Sequence, residues 1–158
     1  MRVGSGLDVH PFGDDPARRL VIGGVHVADA PGLEGHSDAD VLAHAVADAL
    51  LGAAGLGDLG HRFGVDRPDM VEADSLELLV AVRRDVRAAG YEVGNLDATV
   101  VAQRPRLAPY RDAMRANLAR ALDVAVEQVS VKYTTTDGLG TLGRGEGIAA
   151  WVTCLLLP

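Results

Sequence analysis

The chain predicts an α/β sandwich, an α+β arrangement in which helices cover one face of a sheet. Three observations carry that prediction. The second half reads strand, helix, strand, strand. A stripe at helical spacing (Val41, Leu42, Ala45, Val46, Ala49 and Leu50) marks a long helix in the first half. The 158 residues are 48% hydrophobic but only 4% aromatic, so Ala, Val, Leu and Gly must fill the core and let elements approach closely.

Taken in order, Arg2 to Leu7 reads as a strand, with Asp8 and His10 just beyond it. Leu20 to Ile22 and Val25 to Val27 flank Gly23-Gly24 as a tight hairpin. Asp29 to Gly35 is a loop. Ser37 is placed to cap a helix with Asp40 three residues on, and that helix runs to about Ala54. Gly55, Gly57 and Gly60 end it. A second helix spans Ser75 to Ala89, stopped by Gly90. A strand follows from Tyr91 to Gln103, broken by Arg104-Pro105-Arg106. The rest reads as a helix over Tyr110 to Leu122, a strand over Val129 to Thr135, a Gly-rich loop over Gly138 to Gly147, and a last strand over Ile148 to Leu157. The uncharged last strand suits burial on both faces, either at a subunit contact or inside the sheet. With no repeats and no linker, residues 1–158 are expected to form one domain.

Charge and thiol content narrow the function. The formal net charge of −7 argues against a partner bound through phosphate neutralisation, so nucleic acid is not expected. A small phosphorylated substrate remains compatible, because metals and a few arginines reverse the sign locally. Cys154 is the only cysteine; it excludes an internal disulfide and reads as a small buried hydrophobe. The start, Met1-Arg2-Val3-Gly4-Ser5, lacks a signal-like apolar core, and the uncharged tract Gly147 to Pro158 is too short to cross a bilayer. A cytoplasmic chain with no membrane association is expected.

Two short runs suggest chemistry. Asp8 and His10, two apart in an extended segment, project to one side. His44 lies on the first helix with Asp40 and Asp48 one turn before and after it, so that a carboxylate could orient its ring. Two imidazoles and a carboxylate would leave a divalent ion one open position, the signature of a catalytic rather than a structural site. The spacing alone favours a loop turn and a surface histidine over a metal site. His36 precedes the helix start, where anions are favoured; a loop histidine fits as well. Lys132 to Asp137 offers a cation, three hydroxyls and a carboxylate, or an ordinary strand edge. Gly138-x-Gly140-x-x-Gly143 precedes a strand rather than a helix, which rejects a dinucleotide or Walker loop. Arg144 and Glu146 suit a pair or an interface. Glu77 and Asp85 read as a solvated helix face, and His26 and His61 as surface residues.

These motifs together resemble the 2-C-methyl-D-erythritol 2,4-cyclodiphosphate synthase family over essentially the whole chain. The matching pieces are Gly6-Leu7-Asp8-Val9-His10, Gly35 to Val41 with His44, Asp48 to Ala53, Gly57 to Gly60, Ala73-Asp74-Ser75, Ala102 to Pro105, Thr134 to Thr136 and Gly143 to Ala149. The resemblance implies a mixed sheet backed by helices, a homotrimer with active sites between subunits, and a cytidine diphosphate substrate. It implies a phosphorus–oxygen lyase that expels CMP while closing a cyclic diphosphate. Zn²⁺ is carried to Asp8, His10 and His44, and a second divalent cation (Mg²⁺ or Mn²⁺) to Asp137. His36 and Thr135 take transition-state roles. Substrate contacts fall to Ser37, Asp58, Leu59, Gly60, Phe63, Asp66, Ala102, Gln103, Arg104, Pro105, Arg106, Leu107, Thr134, Thr136 and Arg144. The segment Phe63 to Pro68 departs from the family pattern, as does Asp137 in place of a glutamate. A zinc phosphohydrolase and a catalytically inert trimeric module for isoprenoid phosphates are the competing readings.

Overall fold

Four strands form one sheet in the order β1-β6-β4-β5, and helices cover one of its faces. The computed structural model describes residues 1–35, 37–64 and 74–158. The strands are β1 (Arg2–Pro11), β4 (Glu92–Val101), β5 (Val129–Thr134) and β6 (Gly147–Leu157); β2 (Arg19–Ile22) and β3 (Val25–Pro31) make a separate hairpin. The helices are α1 (Val41–Ala54), α2 (Leu59–Phe63), α3 (Ser75–Ala88), α4 (Arg111–Leu122) and the short α5 (Gly140–Gly143). β6 runs antiparallel to both β1 and β4, and β5 runs parallel to β4. The sheet is therefore mixed, and β1, β4 and β5 all end at the same side of it.

β1 explains why α1 lies where it does. Along that strand Gly4 and Gly6 face the helix, and a Cβ at either would sit 2.0 Å from a carbonyl oxygen, Ala49 O and Ala45 O respectively. Absent side chains thus allow the close approach that a core of small residues needs. Asp8 and His10 continue the same side of the pleat, whereas Val3, Leu7 and Val9 face away and stay exposed. β1 extends through both, so Asp8 and His10 lie within the strand rather than beyond it. Pairing with Ala150 and Ile148 of β6 continues the ladder past Leu7.

The start of α1 differs from expectation. Its cap is Asp40, whose carboxylate accepts from Leu42 N at 3.1 Å and Ala43 N at 3.0 Å. The same carboxylate accepts from Gly23 N and Gly24 N, at 2.9 and 2.6 Å, tying the β2–β3 turn to the helix. Ser37 is not the cap: it and Ala39 adopt left-handed backbone (φ 58° and 54°), and the chain turns twice before the helix begins. β3 reaches Pro31, into the expected loop. The Gly55 to Gly60 stretch ends α1 but also starts α2, because Asp58 caps that short helix through His61 N at 2.7 Å.

β6 is an interior strand by order, but it is not buried on both faces within one chain. Ile148, Ala150, Val152, Cys154 and Leu156 enter the core, whereas Trp151 and Leu157 are exposed. Its continuous apolar run reflects two apolar faces, one covered by helices and one bare. Cys154 is buried as expected. Its Sγ lies 3.3 Å from Ala49 O, and burial pushes the thiol up to about 11. Among the described residues, no helix is long and apolar enough to cross a membrane.

Candidate active site

At the end of β1, α1 lays His44 over Asp8 and His10. Asp8 Oδ2 sits 2.9 Å from His10 Nε2 and 3.1 Å from His44 Nδ1, and those two nitrogens are 3.3 Å apart. The three ligand atoms all lie within 4.8 Å of one another. The opposite nitrogens are engaged elsewhere. His10 Nδ1 lies 2.6 Å from Glu34 O, and His44 Nε2 lies 3.1 Å from Ser37 Oγ and 3.0 Å from Ser75 Oγ. A carbonyl can only accept, so His10 carries a proton on Nδ1, and in the neutral ring the Nε2 lone pair is the one that faces inward. The bridge between Phe12 and Leu33 is what brings Glu34 alongside the end of β1.

Electrostatics reinforce the cluster. Burial works against ionisation of Asp8, but hydrogen bonds and charge from His10 and His44 prevail and hold its carboxyl well below the usual range. Burial likewise disfavours a charged His10, yet the Asp8 carboxylate raises its pKa above the ordinary value. A pre-formed acceptor set of one carboxylate and two imidazoles, each ring fixed from behind, suits a divalent cation such as zinc. The residues present fit the metal.

The expected carboxylate behind His44 is not there. Asp40 is consumed as the helix cap, and Asp48 Oδ1 accepts from Leu59 N at 2.7 Å. Two serine hydroxyls hold the ring instead. Around the triad opens a cleft of about 240 Å³ lined by Asp8, His10, Ser37, His44, Asp48, Leu59, Gly60, Phe63, Gly64 and Leu78. Ser37, Leu59, Gly60 and Phe63 line this cleft together with the triad. Asp58 is adjacent, but its carboxylate is spent on capping α2. His36 and Asp66 lie outside the described residues.

A second cleft of about 280 Å³ collects Ala102, Gln103, Pro105, Arg106, Leu107, Tyr133, Thr134 and Thr135 beyond the ends of β4 and β5. β4 stops at Val101, so Ala102 and Gln103 belong to the loop rather than to the strand, and a cis Arg104–Pro105 bond follows. Arg104 faces a neighbouring cleft with Phe12 and Gly145, which Pro105 also borders. Thr135 Oγ1 lies 3.3 Å from Asp137 Oδ1, and Thr136 Oγ1 donates to Leu139 O at 2.7 Å. Arg144 pairs with Glu146 at 2.6 Å, and Asp85, expected to be merely solvated, pairs with Arg62 at 2.5 Å. Within one chain the triad and the threonine segment stand on opposite edges of the sheet. Three inter-strand gaps of roughly 4.8 Å put them about 14 Å apart.

Residues 1–157 match the model of the YgbB family. The chain belongs to the YgbB family. A 2-C-methyl-D-erythritol 2,4-cyclodiphosphate synthase of Moorella thermoacetica is 60% identical over 157 residues, covering 99% of this chain and 95% of that relative. Among solved structures, the complex of Plasmodium falciparum IspF with CDP superposes with a TM-score of 0.86 at 32% identity, covering 99% of this chain and 96% of that one. The bifunctional IspDF of Campylobacter jejuni gives a TM-score of 0.93 at 43% identity over 98% of this chain; the match spans 42% of that longer protein. The mixed sheet with helices on one face is therefore the YgbB fold. Sequence reasoning missed Ser75, whose Oγ lies 3.0 Å from His44 Nε2, and Asp38, which accepts from that hydroxyl. Their motifs were visible, but nothing local pointed to contact with His44.

Proposed function

We propose that this chain converts 4-diphosphocytidyl-2-C-methyl-D-erythritol 2-phosphate into 2-C-methyl-D-erythritol 2,4-cyclodiphosphate and CMP, acting as a phosphorus–oxygen lyase of isoprenoid biosynthesis in the cytoplasm. The convergence of Asp8 Oδ2, His10 Nε2 and His44 Nδ1 carries the reading. Support comes from the family and from the cyclodiphosphate synthases it resembles over nearly its full length. Bound in place, Zn²⁺ on Asp8, His10 and His44 would supply a Lewis acid for a phosphoryl oxygen, and Mg²⁺ or Mn²⁺ near Asp137 would offset diphosphate charge.

In the reaction, an oxygen of the 2-phosphate bonds to the β-phosphorus, and the bond from that phosphorus to the bridging oxygen breaks, releasing CMP. The nucleophile is already anionic, so the protein needs no strong base. Its task is to position two phosphates and stabilise charge as it spreads. Leu59, Gly60 and Phe63 shape the wall on which the erythritol arm folds back, with Ser37 and Asp58 beside it; Asp66 is assigned to the same substrate on the family resemblance alone. Ala102 to Leu107 form the cytidine side, where Arg104 and Arg106 bring positive charge. Thr134 and Thr135 offer hydroxyls to the phosphates, Thr136 lies beside them with its own hydroxyl turned to Leu139 O, and His36 with Thr135 takes the transition-state role.

The active unit is a homotrimer, each site shared between neighbouring subunits. The bare apolar residues of β1 and β6 on the uncovered sheet face, and the three strand spacings (about 14 Å) between the two half-sites in one chain, support this assembly. Arg144 then sits near the subunit contact.

The test is ³¹P NMR of the chain incubated with its substrate. Equal amounts of cyclic diphosphate and CMP are expected, and a substrate lacking the 2-phosphate should persist. CMP release from that truncated substrate would instead indicate the phosphohydrolase. Absence of turnover in zinc-loaded protein would leave only a binding module.

A further inference from the structure

We propose that Ser75, anchored by Asp38, is a positioning residue for His44, fixing the imidazole proton on Nε2 so that the Nδ1 lone pair faces the metal. This rests on the metal reading above. Ser75 opens α3, an element separate from those that carry Asp8, His10 and His44, and is 2% exposed. Its Oγ lies 3.0 Å from His44 Nε2 and 3.3 Å from Ser37 Oγ, and it donates to Asp38 Oδ1 in a short contact. Its backbone N–H donates to Asp38 Oδ2 at 3.2 Å, so one residue engages both carboxylate oxygens. Asp40 N adds a further bond to Asp38 Oδ1 at 3.2 Å.

Proton counting then sets the direction of the chain. A serine hydroxyl has one proton, and an ionised carboxylate only accepts. The Ser75 proton is committed to Asp38, which leaves oxygen lone pairs toward the ring. Only a protonated Nε2 completes that contact. In the neutral ring that a cation requires, the lone pair then falls to Nδ1, the nitrogen that meets Asp8 Oδ2 and His10 Nε2. The negative charge of Asp38 at the far end polarises the relay and strengthens the ring as a donor to a cation. His10 achieves the same through a backbone carbonyl, which no substitution of a side chain removes. His44 instead depends on replaceable hydroxyls. Ser37 Oγ, 3.1 Å from Nε2, supplies a partial second restraint, so loss of Ser75 weakens the site without abolishing it.

The experiment is zinc affinity by chelator competition on metal-free protein, with the visible spectrum of the Co²⁺-substituted form as a second readout. Ser75→Ala should raise the zinc Kd by about tenfold and change the cobalt spectrum. Ser75→Thr, which keeps the hydroxyl, should restore both, and Asp38→Asn should fall between. Ser75→Ala with the unmutated affinity and spectrum would overturn the proposal while leaving the metal site intact. An unmutated chain that binds no zinc would sink the metal reading itself, and the proposal with it. Should Ser75→Ala fail to fold, ¹⁵N NMR of the zinc-loaded unmutated protein decides. A ring proton on His44 Nε2 supports the relay, and one on Nδ1 overturns it.

Discussion

The two faces of the four-stranded sheet are built on opposite terms. One is closed by α1 and α4, with α3 packed against both, Gly4 and Gly6 under α1, and Val152, Cys154 and Leu156 in the core. The other carries Val3 (69% exposed), Leu7 (59%), Val9 (53%) and Trp151 (58%), and nothing in the described chain covers them. β1 serves both, alternating between them residue by residue. The covered face is completed by the chain's own helices and, at its far end, holds the candidate metal-binding triad Asp8, His10 and His44. The bare face has no cover among the described residues, and the proposed trimer would supply one.

The largest break in this contrast should come from the covered face. Gly6→Ala places a Cβ 2.0 Å from Ala45 O, where backbone rather than a flexible side chain must yield. A loss of about 3 kcal/mol or more in urea unfolding is expected, with collapse of soluble yield; a variant as stable as the parent would contradict the close approach of β1 and α1. On the bare face, Trp151→Asp should leave the monomer fold intact but dissociate the assembly. Burying that side chain is worth about 2 kcal/mol per subunit, and sedimentation would read the shift from trimer to monomer. Survival of the trimer would place the subunit contact elsewhere.

Smaller effects sharpen the picture. Asp137→Ala should raise the Mg²⁺ concentration needed for half-maximal turnover several-fold with zinc content unchanged; identical titration curves would separate Asp137 from the second ion. Cys154 tests the covered face by pH. Its thiol has a raised folded pKa, so the neutral form is favoured on folding. That contribution is full below the ordinary value of 9.0 and is lost as pH rises toward about 11. Stability of the parent should decline over that window more steeply than that of Cys154→Ala. Parallel curves would mean the thiol is not shielded.

Much of this was legible in the sequence because it follows local period. The stripe Val41 to Leu50 placed α1, and the two-residue spacing of Asp8 and His10 put both on one side of a strand. The start of α1 was misread because a serine three residues before an aspartate imitates a capping box; two left-handed residues shift the true cap to Asp40. The last strand was ambiguous because core-facing and bare residues are alike apolar. The ring support of His44 was invisible, since Ser75 lies 31 residues away and only the packing of α3 beside α1 brings it in. The family resemblance pointed to Asp8, His10 and His44 as candidate metal ligands, but it gave no hint of which hydroxyls stand behind them.

The sheet order carries one more consequence. If cation grip and nucleotide grip sit at opposite margins of each copy, two differently crippled proteins can rescue each other. Mixing a His44→Ala preparation with a Thr135→Ala one, unfolding and refolding them together, would assemble some junctions from two intact halves and recover turnover that neither parent displays alone.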